Sequence, residues 1–223
     1  MKRPLTPLSC PSTPRMQPPS PDAYAAFDCL HLLATVPPRL GGLTRNELHQ
    51  FSFLGCLIDM YGGGITNEWG YSYVASRSGT PFSGALDETV DGLLLRGLIT
   101  QSVNILNISR TGAVARDSLV SLQQNRKRAV ALRAAATVVS ALSLGSIRQA
   151  MLRSGPDLAA AVDLGVTRRL LGPLALDDLA GQFAAVRDAA GPTVDAAIPI
   201  AAWLSFLAGL APDRDGGLDV GQD

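Results

Sequence analysis

Apolar residues recur along this chain at helical spacing in a series of blocks, each closed by glycine or proline. Residues 1–21 stand outside that series. They are rich in proline and serine and carry too few apolar side chains to fold, so they read as a disordered arm, or as an extension ahead of a true start at Met16. Asp22 opens a helix with Tyr24, Phe27, Leu30 and Leu33 on its apolar positions, ended by Pro37-Pro38. Thr44 and Glu47 have capping-box spacing, and the helix they open carries Leu48, Phe51, Leu54 and Ile58 up to Gly62-Gly63-Gly64. Residues 65–74 place Trp69, Tyr71 and Tyr73 at alternate positions and predict a strand. Ser83 caps a helix with Leu86, Val90, Leu93 and Leu94 on one face, and Gly97 ends it. Residues 98–103 and 105–108 then suit two strands bent at Asn104, where a second Gly or Asn would sit more comfortably, and Thr111 caps a helix running to Leu122.

Short strand, turn, helix, two-stranded wing and helix, with "GLI" and "ISRTG" at the joints, is the order of a winged helix, and residues 65–74 are expected to give the first strand of its sheet. From residue 123 onward the pattern is helical throughout: 125–144, 145–153, a turn over 156–164, then 176–190 and 192–211. The expected fold is therefore mainly α with a small β-wing, a winged helix over 22–122 followed by a helical C-terminal half over 123–211. A flexible acidic tail, 212–223, closes the chain. No internal repeat recurs at a fixed period.

Composition removes several function classes. Nineteen basic and nineteen acidic residues cancel, so no global field gathers nucleic acid. Seventeen of the cations are Arg, beside only Lys2 and Lys127, which reads as the habit of a GC-rich bacterial genome rather than as chemistry. Hydrophobic content of 47% against 17% charged fits a compact body or a buried subunit. Cys10, Cys29 and Cys56 are far apart, form no CxxC and have no histidine at ligand spacing; they predict no metal and a reducing cytoplasm. The prolines of the first 21 residues break any secretory signal, and Asp195, Pro199 and short length make the apolar 193–211 stretch a buried helix, not a membrane span.

Candidate chemistry is sparse. The triple glycine lacks the Gly-Lys-Ser/Thr of a phosphate loop and follows a helix instead of preceding one. His31 and His49 read as helix histidines with their polar atoms satisfied. Asp87, Glu88 and Asp91, with Glu68 before them, lie too much on one element to hold a metal and read as solvated or paired with a basic partner. Between residues 110 and 153 eight cations face the single acid Asp117, and Arg110, Arg126, Lys127, Arg128 and Arg133 are the candidate contacts for a nucleic-acid backbone. No aromatics interleave with them to stack on bases. The helix that would read bases exposes Gly84, Ala85, Asp87, Glu88, Asp91 and Gly92 instead of Arg, Asn, Gln or Ser, and its carboxylates would meet phosphate first.

On the Thr44–Met60 helix, Tyr71-Ser72-Tyr73, Gly79-Thr80-Pro81-Phe82-Ser83 and Leu93–Ile99, the chain resembles the small winged-helix accessory subunits of bacterial multi-protein ATPase systems. These are the middle component of three-component ABC-ATPase defence operons and the small subunit of Lamassu-type anti-phage complexes. Thr80-Pro81 departs from the Gly-Pro-aromatic-Ser turn expected there. The resemblance implies an adaptor without cofactor or catalysis, which bridges or restrains an SMC-like ATPase and an effector, often a nuclease. Asp87, Glu88 and Asp91 and the apolar Ile198–Leu210 stretch are the expected docking elements, with Trp203, Phe206 and Leu207 as anchors. Non-specific DNA contact through the basic run belongs to the same picture. The alternative is a transcriptional regulator dimerising through its C-terminal helices; an enzyme finds no convergent polar set to carry it.

Overall fold

The computed structural model describes residues 21–76, 79–154, 167–191 and 195–209, with the backbone alone for Pro21, Thr66 and Asn67. It is mainly helical with small antiparallel sheets. The helices are α1 (Pro21–Thr35), α2 (Arg45–Tyr61), α3 (Gly84–Leu95), α4 (Arg110–Val120), α5 (Gln123–Ala141), α6 (Leu144–Ser154), α7 (Pro173–Ala190) and α8 (Ala197–Gly209). The strands are β1 (Val74–Ala75), β2 (Pro81–Phe82), β3 (Ile99–Ser102), β4 (Ile105–Ile108) and β5 (Arg168–Arg169).

Helix α2 is the centre of the molecule. Its run Phe51-Ser52-Phe53-Leu54-Gly55-Cys56-Leu57-Ile58 has no polar side, and every one of these residues is buried. Thr44 starts it with the capping box read from the sequence: its backbone N–H donates to Glu47 Oε2 at 2.7 Å, and its hydroxyl accepts from Glu47 N–H at 3.2 Å. Gly55 lets α5 lie close, since a Cβ there would stand 2.8 Å from Leu132 Cδ2. Helices α1, α5 and α7 and strand β2 pack around α2, and one hydrophobic cluster continues from α1 to α8.

Strands β3 and β4 pair from Ile99–Ile108 to Ser102–Ile105. Leu43, just ahead of α2, joins this hairpin by an isolated bridge, donating to Leu106 O at 3.1 Å and accepting from Leu106 N–H at 2.7 Å. Gly42 permits the approach with φ +121, because a Cβ would fall 2.4 Å from Leu106 O. At the hairpin tip Val103 takes φ 56, a strained state for a β-branched residue, as the missing Gly or Asn foretells. The second sheet has the order β2-β1-β5, all antiparallel.

Several expected boundaries move. The 65–74 strand is a 3-10 turn, Thr66–Trp69, followed by β1, which pairs with β2 and β5 and not with the hairpin. Its alternating aromatics face a buried charge cluster, not a sheet surface. Ser109, not Thr111, caps α4: its hydroxyl accepts from Gly112 N–H at 3.0 Å. Asp22 lies inside the first turn of α1 instead of capping it. The long helix ends at Ala141, where the chain turns by 119° into α6. Helix α7 begins at Pro173, whose fixed φ suits a first helical position. The expected 156–164 turn, the N-terminal arm up to residue 20 and the 212–223 tail lie outside the described residues. Among the described residues no single helix is long and apolar enough to cross a membrane.

Candidate partner-docking surface

Helix α3 meets α2 through charge. Arg45, in the first turn of α2, forks across to two carboxylates one turn apart on α3, bonding Asp87 Oδ1 through Nη1 at 3.1 Å and Asp91 Oδ1 through Nη2. The Asp91 hydrogen bond, and burial that partly opposes it, leave Arg45 with a proton held more tightly than usual. One turn further along α2, His49 is buried against the Phe82 ring at 4.7 Å between centroids. Its Nδ1 accepts from the Ser83 backbone N–H at 3.3 Å, and its Nε2 lies 3.6 Å from Asp87 Oδ1. Burial pushes the imidazole pKa below its ordinary value, with Asp87 working against that shift.

Ser83, His49 and Asp87 thus stand in the order of a hydrolase triad at the N-terminus of a helix. The chemistry does not follow. Ser83 is buried and its hydroxyl has no hydrogen-bond partner, while the imidazole nitrogen turned toward it is occupied by Ser83's own backbone N–H. With no base on the buried hydroxyl, the arrangement lacks the hydrogen bond that activates a nucleophile, and the group ties α2 to the start of α3.

The acidic face is therefore divided. Asp87 and Asp91 are tied to Arg45, whereas Glu88 points outward and is exposed. On α8 the three expected anchors also separate. Trp203 and Leu207 are buried; Trp203 packs edge-on against Phe183 at 5.1 Å and donates from Nε1 to Gln182 Oε1 at 3.0 Å. They belong to the core, so Trp203 and Leu207 are corrected from docking anchors to packing residues. Phe206 is 64% exposed and shares the outer face of α8 with Ile198, at 71%. A helix this apolar needs one side for its own core, and the 3.6-residue period decides which residues remain outside.

The basic run divides in the same way. Arg110, Arg126 and Arg133 are exposed, and Lys127 lies 3.4 Å from Asp59 of α2. Arg153 turns inward and donates through Nη1 to the carbonyls of Leu207 and Ala208 at 2.8 and 2.9 Å, closing the C-terminus of α8. Arg128 has left the surface altogether, which removes it from the candidate DNA contacts. It bonds Asp28 through Nε and through Nη2 (2.6 Å), donates from Nη1 to Trp69 O at 2.7 Å, and lies 3.7 Å above the Trp69 ring.

Asp28 is the buried polar residue that the sequence pattern passed over. Its Oδ2 also accepts from the hydroxyls of Tyr71 and, at 3.4 Å, Ser52, while Ser52 Oγ lies 2.7 Å from Tyr73 Oη. Burial works against the Arg128 charge, but the Asp28 carboxylate overcomes it and raises the guanidinium pKa. Burial first, and Asp28 second, raise the Tyr71 phenol. The available signal was Asp28 itself, the one charged residue in the stretch from Ala23 to Pro38. His31 likewise departs from expectation: it is 1% exposed and neither ring nitrogen has a hydrogen-bond partner. Burial, then the charges of Arg116 and Arg133, lower its pKa to about 4.

Among the described residues no three His, Cys, Asp or Glu side chains converge to hold a metal, and Cys29 and Cys56 are buried free thiols, raised in pKa chiefly by burial. Comparison with protein-family models, characterised proteins and solved structures finds no match for the chain.

Proposed function

We propose that this chain is a non-catalytic adaptor, a small winged-helix accessory subunit of a multi-protein SMC-like ATPase anti-phage complex, bridging or restraining an effector nuclease. The order α1, Leu43 bridge, α2, α3, β3-β4 hairpin supports the winged-helix reading. The observation that carries the adaptor reading is the outward side of α3, the helix such a fold uses for bases. It presents Glu88, Asp91 and Leu95; Arg45 is already engaged by Asp87 and Asp91, and the exposed Arg96 stands only at the helix's C-terminal end. A duplex meets negative charge there, and a protein partner meets a mixed acidic and apolar face. Ile198 and Phe206 on α8 supply a second apolar contact. Tagged purification from the native operon, followed by mass spectrometry, tests the reading. A large ATPase eluting with a nuclease-like protein supports it; the chain eluting alone as a homodimer overturns it.

The second reading, a DNA-binding regulator, has one observation in its favour. Arg110, Arg126 and Arg133 are exposed cations without an ion-pair partner among the described residues. It requires saturable binding to the operon's own promoter, with a steep salt dependence that falls when these three are changed to Gln.

A further inference from the structure

Helices α1 and α3 pack side by side and leave a groove between them. Ala26, Leu93 and Gly92 line it together with Asp22, Glu88, Thr89 and Arg96, and its volume is about 250 Å³. That is below the roughly 300–1,000 Å³ of small-molecule sites, and it suits one long side chain. Asp22 and Glu88 are exposed and make no ion pair among the described residues, while the Thr89 hydroxyl is turned back onto Ala85 O at 2.6 Å. The groove therefore offers two uncommitted carboxylates above a floor of small and apolar residues.

Gly92 adds an independent observation. It lies inside α3, where glycine destabilises a helix relative to alanine. Neither backbone nor packing explains it: its φ is not positive, and a Cβ there would meet nothing within 4 Å. The missing side chain leaves the floor of the groove low between Glu88 and Arg96.

We propose that the α1–α3 groove receives a Lys or Arg side chain from the adaptor's protein partner. The aliphatic stem lies over Ala26, Gly92 and Leu93, and the cationic head meets Asp22 and Glu88. Arg96, eight positions and about 12 Å along α3 from Glu88, gives the bound segment a direction by repelling a second cation. This inference rests on the adaptor reading and adds the chemistry of the partner's contact. A DNA backbone is disfavoured by the same two carboxylates.

The test uses the full-length, isotopically labelled chain and blocked tripeptides with a central arginine or a central glutamate. The arginine peptide is expected to shift the amides of Ala26, Thr89 and Gly92 saturably, and the glutamate peptide to leave them in place. Asp22→Asn with Glu88→Gln should weaken binding about tenfold, the loss of a charge-assisted contact. Gly92→Met should block the groove, whereas Gly181→Met, at an equally open helix position on α7, should not. Shifts that do not saturate, a double variant that binds as well as the parent, or a DNA duplex that saturates the same amides overturns the proposal. In the operon purification, a partner still recovered with Asp22→Lys/Glu88→Lys sinks the groove and leaves the adaptor reading standing. Recovery of the chain alone, with arginine-peptide binding intact, sinks the adaptor reading and leaves the groove.

Discussion

Among the described residues, two of the arginine–aspartate assemblies join one helix to another, with the same chemistry in opposite surroundings. Arg128 and Asp28, with side chains 6% and 0% exposed, are enclosed by Trp69, Tyr71, Tyr73 and Ser52. Arg45, Asp87 and Asp91, at 32%, 35% and 64%, stand in water at the edge of α2 and α3. The buried pair ties α1 to α5 across 100 residues of chain, and nearly every polar atom around it is spoken for. The exposed fork joins neighbouring helices and leaves its carboxylates accessible. A paired charge inside the protein is a joint of the fold, and the same pair at the surface is an adjustable feature of an interface.

Breaking the buried joint should have the largest effect. Asp28→Asn leaves the Arg128 charge uncompensated in the interior, and unfolding by urea should show a loss of about 3–5 kcal/mol. A double replacement, Asp28→Leu with Arg128→Met, should recover most of that loss, because it removes both desolvation penalties together. A single-variant loss under about 1 kcal/mol would show that the enclosed pair behaves like the exposed one, and the contrast would fail.

His31 extends the contrast to protons, one turn along α1 from Asp28. Asp28 is buried with partners; His31 is buried without them. Burial, Arg116 and Arg133 lower its pKa from 6.5 to about 4, so the unfolded chain binds this proton more readily than the folded one. Its contribution is fully present above about pH 6.5 and is lost as pH falls toward 4, about 3 kcal/mol in all. Stability curves of the parent and His31→Leu should separate over that window and run parallel above it. Parallel curves throughout would mean that His31 reaches solvent when protonated.

Tyr71→Phe probes one spoke of the buried joint. It deletes a hydroxyl donor to Asp28 while Arg128 still holds the carboxylate, so the expected loss is about 1.5 kcal/mol. Thermal unfolding that leaves Tm unchanged would place the phenol outside the assembly.

How much of this was legible in the chain follows the range of each interaction. Thr44 and Glu47 are three residues apart, and their capping box appears where the spacing puts it. The β3-β4 hairpin and the apolar face of α3 are equally local and equally clear. Asp28 and Arg128 are 100 residues apart, and nothing near either one names the other. The aromatics at 69, 71 and 73 mimic a strand for the same reason: their alternation serves a long-range charge, not a sheet. On α8 the apolar content was plain, but an apolar helix does not announce which side its neighbours cover, so Trp203 and Phe206 looked alike.

Arg45→Gln should have the smallest effect on stability, below about 1 kcal/mol, because an exposed pair gains little over its hydrated ions. Its value lies in a second readout. Removing the cation frees Asp87 and Asp91 and makes the outward side of α3 more negative around Glu88. Arginine-peptide binding in the groove should then tighten by about two- to threefold at low ionic strength and return to the parent value in about 1 M salt, where the screening length is roughly 3 Å. Loss of more than about 3 kcal/mol would instead make the fork a structural joint like Asp28–Arg128. Unchanged stability with unchanged peptide binding would show that charge on the α2 side of α3 does not reach the groove.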